Sequence, residues 1–138
     1  MRRLSLCVAL SLASGIAMAE PCDHAKETVE LNACLHEQVG KAEKELERYL
    51  DATRTRYADA PDAVVSLEAA QGAWVRFRDS DCLAVYDLWG DGSIRGAQLA
   101  TCLLQHTQRR THDIWSRYLT TPDSPSGILP EPVQPGRD

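Results

Sequence analysis

The residues best suited to chemistry lie in the stretch AQGAWVRFRDSDC, residues 70–82. It places an amide, two aromatic rings, two arginines, two aspartates and a cysteine within thirteen positions. Such a set fits a catalytic face, a docking face or the seam of a small disulfide-bonded domain. Asp79 and Asp81 are two positions apart, so on a helix they point in different directions and do not share a substrate. No carboxylate pair in the sequence has a clear apolar surround of the kind that acid catalysis requires.

The cysteines do not form a pattern typical of metal sites or nucleophiles. Beyond the leader described below, the chain has four: Cys22, Cys34, Cys82 and Cys102. Zinc sites favour close pairs such as C-x₂-C, whereas the spacings here are 12, 48 and 20. Once oxidised, none of the four is a thiolate. We therefore expect disulfides rather than a metal or a catalytic cysteine.

The segment DLWGDGSIRGAQ, residues 87–98, resembles a calcium-binding loop at its centre. Position 3 of such a loop is Trp89 here, and position 12, which supplies a bidentate acid, is Gln98. Two necessary ligands are thus missing. No serine has a G-x-S-x-G context and no histidine pair forms H-E-x-x-H. The sequence predicts no catalytic residue, no metal and no cofactor, and therefore a non-enzymatic protein.

The N-terminal residues predict export. Arg2 and Arg3 precede the uncharged run LSLCVALSLASGIAMA, which ends in a small-x-small cleavage pattern at Ala19. The run has 16 residues, fewer than the roughly 20 that span a bilayer. We predict a signal peptide over residues 1–19, a periplasmic or secreted protein beginning at Glu20, and no membrane span after cleavage.

Charge and proline content describe the rest of the chain. After residue 19, 13 basic and 20 acidic residues give a net charge of −7, which argues against nucleic acid and permits a basic protein partner. Residues 120–138 hold five of the seven prolines. We expect this C-terminal segment to be extended and disordered, which leaves one domain over residues 20–119.

Hydrophobic periodicity predicts an all-α domain. Three runs have apolar residues in steps of three and four, and none alternates as a strand would. The first run comprises Leu35, Val39, Ala42, Leu46, Tyr49 and Thr53. The second includes Val64, Leu67, Ala70, Trp74, Phe77, Cys82, Val85, Tyr86 and Trp89. The third comprises Leu99, Cys102, Leu103, His106, Arg110, Ile114 and Tyr118. We predict a small bundle of three main helices.

The four cysteines fit this arrangement as two disulfides. Pairing neighbours, Cys22–Cys34 and Cys82–Cys102, closes each hairpin locally, although the sequence leaves the other two connectivities open. Each bridge would stabilise so small a domain by about 2–4 kcal/mol.

Cysteines, helices and motif residues together resemble the N-terminal domain family of the lysozyme inhibitor LprI. The family has two early cysteines, a helix with Q-x-x-W-x-x-(aromatic)-R-(acid)-x-x-C, a glycine-containing turn and a last helix with C…T-x-x-R-T. The matching residues after the early pair are Gln71, Trp74, Phe77, Arg78, Asp79, Cys82, Gly90, Gly92, Ser93, Cys102, Thr107, Arg110 and Thr111. His106 departs from the pattern, which usually has an apolar residue there, and suggests a pH-sensitive seam.

The resemblance implies an exported, non-enzymatic helical domain with lysozyme inhibition as the named activity. We expect the motif to be mainly structural, with Trp74 and Phe77 filling the seam and Arg78 covering a ring or pairing with Asp79 or Asp81. The alternative is a docking surface that includes Arg76, Arg78 and Asp79.

For a partner-binding site, the loop 90–96 is the candidate, with Asp91, Ser93 and Arg95 at a tip held by the expected Cys82–Cys102 bridge. The partner would be a basic lysozyme or another peptidoglycan hydrolase. The alternatives are a plain turn at this loop, and a role as an immunity protein against a secreted effector or as an envelope accessory factor.

Overall fold

The protein is all-α, as predicted. A computed structural model describes residues 22–121 and 127–135, so the predicted signal peptide lies outside the described residues. The described ranges contain no strand. The helices are α1 (Thr28–Arg56), α2 (Pro61–Leu88) and α3 (Arg95–Ile114), which continues into a short π-helical turn (Trp115–Leu119). None of the helices in these ranges has the length and apolar character needed to cross a membrane.

Helix α3 lies between α1 and α2. It runs parallel to α1, because Gly96 at the start of α3 lies beside Asn32 near the start of α1, and Leu104 packs with Ala42 further along. It runs antiparallel to α2, to which the loop 89–94 connects it. Two apolar clusters follow the α1–α3 contact. One contains Val39, Ala42, Ala100 and Leu104; the other contains Leu46, Tyr49, Leu50, Leu67, Ile114, Trp115 and Leu119.

The face predicted for α1 is the face that it buries, from Val39 to Thr53. Helix α2 differs, since it buries only Leu67, Arg78 and Cys82. Phe77 is 56% exposed, so the prediction that it fills the seam is wrong. At 100° per residue, positions 74, 78 and 82 follow one another along the inner face, and residue 77 falls to its edge. The inner face of α2 is therefore partly polar.

Both predicted disulfides are present. Cys22–Cys34 ties the N-terminal turn to α1, with 5.9 Å between the Cα atoms. Cys82–Cys102 joins α2 to α3, with a Cα–Cα distance of 5.5 Å, and Cys82 is completely buried.

Residues 127–135, in the segment expected to be disordered, have irregular backbone but pack on the domain. Leu129 contacts the apolar cluster around Leu50 and Ile114. The amide of Ile128 donates a hydrogen bond of 3.0 Å to the carbonyl of Leu119. The proline content explains why no helix forms here. The segment nevertheless packs on the domain through Leu129, an apolar contact that overall composition does not predict. The domain boundary at residue 119 remains a prediction.

Candidate functional site

The family motif forms a cluster on the inner side of α2. The indole of Trp74 lies between two guanidinium groups: Arg78 Cζ is 5.2 Å and Arg110 Cζ is 5.7 Å from the ring centroid. Arg110 Nε donates to Gln71 Oε1 at 3.0 Å. Cation–π contacts strengthen as water is excluded; Arg78 is buried and Arg110 is partly buried. Gln71, Trp74 and Arg110 thus fasten α2 to α3.

Arg78 connects all three helices. Its Nη1 donates to Glu43 Oε1 on α1 at 3.0 Å and to Thr107 Oγ1 on α3 at 3.2 Å, while Nε donates to Asp79 Oδ1 at 2.9 Å. The Thr107 hydroxyl is free to accept this bond because its own proton goes to the carbonyl of Leu103 at 2.7 Å. Sequence reasoning named two partners for Arg78, a ring and an acid, and the structure contains both.

Burial changes the proton affinity of Arg110. Desolvation lowers the pKa of its guanidinium from the ordinary value, and the nearby carboxylate of Asp113 partly opposes this effect. The ordinary pKa of an arginine is far above neutral pH, so the group stays charged at physiological pH. It acts in the cluster as a fixed cation.

Phe77, His106 and Asp81 form a second group at the edge of the cluster. The rings of Phe77 and His106 meet edge to face at 5.6 Å, and His106 Nε2 lies 2.9 Å from Asp81 Oδ2. Asp81 therefore pairs with His106 rather than with Arg78. Ligand atoms of His106, Cys82 and Cys102 lie within 4.8 Å of one another, but the two sulfurs are bonded to each other and are not thiolates.

The connection between α2 and α3 has the geometry of a short, tightly closed loop. Gly90 has φ +50°, and a Cβ on Gly92 would lie 2.9 Å from the carbonyl oxygen of Trp89, so both positions favour glycine. Asp91 and Ser93 are exposed. Arg95 lies at the base instead of the tip: its Nη1 donates to the carbonyl of Gly90 at 2.8 Å, and its Cζ is 4.7 Å from the Tyr86 ring centroid.

Sequence reasoning missed two apolar residues beside this loop. Leu88 is 86% exposed and Trp89 is 47% exposed. Periodicity placed Trp89 on the buried face of α2. The helix ends at Leu88, however, and the residues that the structure describes leave both side chains exposed. In the sequence, this Leu–Trp pair comes directly before two closely spaced glycines, and that pattern could have indicated that the helix ends here and leaves both side chains exposed.

An apolar cavity of about 280 Å³ lies where α1 ends and α2 begins. Its lining is Thr53, Tyr57, Ala63, Val64, Leu67, Arg117 and Tyr118. Arg117 is the one charged side chain in that lining. The cavity brings together neither a nucleophile with a base nor a pair of carboxylates, so it offers no recognisable hydrolytic chemistry.

Comparison with known proteins agrees with this description. An uncharacterized protein of Rhizobium meliloti (strain 1021), R02472, is 28% identical over 124 residues, which cover 80% of this chain and 88% of that protein. No solved structure matches the chain. Residues 20–114, which include both disulfides and the whole motif cluster, match the family described as lysozyme inhibitor LprI, a family of inhibitors rather than of enzymes. The chain therefore belongs to the lysozyme inhibitor LprI family.

Proposed function

We propose that this protein inhibits a lysozyme, or a related peptidoglycan hydrolase, by docking the end of its α2–α3 hairpin on the enzyme. This surface, the hairpin end, comprises Leu88, Trp89, Asp91, Ser93 and Arg95. The observation that carries the proposal is the exposure of Leu88 and Trp89 beside a polar loop with a fixed shape. Interface hot spots are enriched in tryptophan, and exposed apolar anchors next to polar groups are typical of docking surfaces.

Three features hold the hairpin end in one conformation. The Cys82–Cys102 disulfide joins the two helices below it. Arg95 closes the loop from within through the carbonyl of Gly90, and the narrow turn at Gly92 leaves no room for a side chain. A preorganised loop loses little conformational entropy on binding, so more of its contact energy appears as affinity.

Charge supports a basic partner. The chain after residue 19 carries a net charge of −7, and Asp91 adds a local negative charge at the exposed tip. Opposite charges on the two proteins speed their encounter and favour this partner over acidic ones. The apolar pair would then supply most of the affinity, since exposed charges contribute little once in contact.

The motif cluster has a different role in this proposal. Arg78 donates to Thr107, Arg110 donates to Gln71, and both guanidinium groups lie over the Trp74 ring, so these contacts are made within the domain. We assign them to holding α2 in place, so that the hairpin end is presented correctly. The cluster itself would not touch the enzyme.

Export completes the proposal. The protein has two disulfides and belongs to a family of lysozyme inhibitors. Both observations indicate an extracytoplasmic protein. We propose that a signal peptide over residues 1–19 is cleaved after Ala19 and that the protein acts in the periplasm or outside the cell.

A matched pair of triple variants tests the docking surface. The loop variant carries Asp91→Ala, Ser93→Ala and Arg95→Ala. The control removes the same residue types from exposed positions elsewhere, with Asp62→Ala and Ser66→Ala on α2 and Arg109→Ala on α3. The loop variant should need about tenfold more protein for half-inhibition of the sensitive lysozyme, and the control should not differ from wild type. Unchanged inhibition by a loop variant with native circular dichroism would rule out the loop.

A further inference from the structure

Backbone hydrogen bonds hold the segment 127–135 in addition to the packing of the Leu129 side chain. Tyr49 Oη donates a hydrogen bond of 2.6 Å to the carbonyl of Pro130. Trp115 Nε1 donates a bond of 2.9 Å to the carbonyl of the preceding residue, Leu129. Tyr49 is fully buried and Trp115 is 8% exposed, so these donors lie in a groove that the segment covers.

Two residues of the segment that are three positions apart lie against the domain. Leu129 and Pro132 face the domain, and Pro132 is buried, whereas Ile128 is 58% and Val133 is 70% exposed. A polyproline II helix has three residues per turn, so residues i and i+3 lie on one side of it. Prolines at 130, 132 and 135 favour this conformation, and their missing N–H groups require no partner in the groove.

The two ends of the contact add specificity. Gly127 has φ +71°, and a Cβ there would lie 2.7 Å from Trp115 Nε1, so the segment enters the groove only with glycine at this position. Further along, Glu131 Oε1 lies 3.2 Å from His112 Nε2. The groove thus distinguishes a glycine, an apolar residue and an acid in order.

From these contacts we infer that the groove formed by Tyr49, His112, Trp115 and Leu119 is a binding site for extended proline-containing peptides, and that the C-terminal segment is its ligand in cis. Aromatic side chains that donate hydrogen bonds to the carbonyls of a proline-rich strand are a recurrent recognition mode, because the strand is stiff before binding and loses little entropy. The ligand class is an extended peptide with the order glycine, apolar residue, proline, acid, proline. This site is independent of the hairpin end and of the lysozyme proposal.

The test uses the whole mature chain and a fluorescein-labelled peptide of residues 127–135. In wild type the attached segment competes within the molecule at a high effective concentration, so the labelled peptide should bind weakly. Leu129→Asp should displace the attached segment from the groove and make binding about tenfold tighter. Val133→Asp is the matched control, because it adds the same charge to an exposed position of the segment.

The donors are tested in the displaced background. Adding Tyr49→Phe and Trp115→Phe to Leu129→Asp removes both hydrogen-bond donors and should abolish the gain in peptide binding. Gly127→Val is a second way to displace the segment, should Leu129→Asp fail to fold. If neither folded variant, with native circular dichroism and both disulfides, binds the peptide more tightly than Val133→Asp, the groove is not a peptide site. Equal binding with the donors removed would also overturn the inference.

Discussion

Helices α2 and α3 are joined by one disulfide but are attached to the domain in different ways. Helix α3 buries a continuous face of six residues and lies between its neighbours. Helix α2 is eight residues longer but buries only Leu67, Arg78 and Cys82. One helix is therefore held by apolar packing along its length, and the other by a few specific contacts.

This difference would let a small domain hold the proposed docking surface, the hairpin end, in a fixed orientation. The disulfide, the Arg78 hydrogen bonds and the Trp74 stack fix α2 along one side. Its other sides and its C-terminal end need not be covered by protein. Leu88 and Trp89 consequently remain exposed where α2 meets the loop to α3.

The largest expected effect comes from removing the bridge that attaches α2. We expect Cys82→Ala with Cys102→Ala to lower the free energy of unfolding by about 4 kcal/mol, because the bridge restrains the unfolded chain and its loss leaves a cavity at buried Cys82. Cys22→Ala with Cys34→Ala should cost about 2 kcal/mol, since that bridge restrains a terminal turn. Urea denaturation followed by circular dichroism measures both, and the reverse order would contradict the comparison.

Arg78 and Arg54 each have more than one acidic partner, so they allow the stability contributions of a buried and a more solvated arginine to be compared. Arg78→Ala should lower the free energy of unfolding by about 3 kcal/mol, because its side chain is 11% exposed and it covers Trp74. Glu68, Glu47 and Asp51 raise the pKa of Arg54, but all three acids are largely solvated.

Arg54→Ala is therefore the control for Arg78→Ala. Exposed ion pairs contribute little, so this change should cost about 1 kcal/mol or less. The two variants are compared by thermal unfolding in the same buffer. Equal losses would show that the number of partners, and not their burial, determines the stability contribution.

Of the two aromatic residues in the motif, the more buried one should contribute more to the free energy of unfolding. Trp74→Ala removes the ring between Arg78 and Arg110 and should cost about 2 kcal/mol. Phe77→Ala removes a ring that is 56% exposed and touches His106 edge-on, so the loss should stay below about 1 kcal/mol. Chemical denaturation of the two variants measures both losses. A larger loss for Phe77→Ala than for Trp74→Ala would contradict the smaller contribution assigned to Phe77.

The smallest effect is expected at alkaline pH. Burial raises the pKa of the Tyr49 phenol above its ordinary value of about 10. The folded state therefore keeps a proton that the unfolded state releases, so this contribution to stability is complete below about pH 10 and is lost as pH rises through the folded pKa.

Tyr49→Phe isolates that contribution. It should lower the free energy of unfolding by about 1 kcal/mol at pH 7, through loss of the hydrogen bond to Pro130, and should reduce the further loss above pH 10. Denaturation midpoints at pH 7, 9, 10 and 11 measure both effects. An identical pH profile for wild type and variant would contradict the raised pKa.

Sequence reasoning succeeded where a contact is local or strictly periodic. The α1 face follows from apolar spacing, and the structure confirms the pairing of neighbouring cysteines among the three connectivities that the sequence left open. It failed at Phe77 because the inner face of α2 carries Arg78 and Gln71, polar residues that periodicity assigns to the outside. Their burial depends on partners supplied by the other helices, which a single segment cannot reveal.

The candidate sites show the same limit. The loop 90–96 was identifiable from its glycines, but the place of Arg95 at the loop base depends on the ring of Tyr86 and the carbonyl of Gly90. The attachment of Pro130 to Tyr49 spans 81 residues along the chain. Composition predicts a flexible segment there, because it does not register a groove that forms only after α1 and α3 have packed.

The most direct test is a titration of residues 20–138, with both disulfides formed, into lysozymes of c-, g- and i-type while cell-wall lysis is followed. Leu88→Ser with Trp89→Ser tests the apolar anchors, and Val29→Ser with Val65→Ser is the matched control at exposed apolar positions elsewhere. We predict stoichiometric inhibition of one type by wild type and control, and inhibition about tenfold weaker or more for the anchor variant. Inhibition of no type by the folded protein, or equal inhibition by the anchor variant, would contradict docking through the hairpin end.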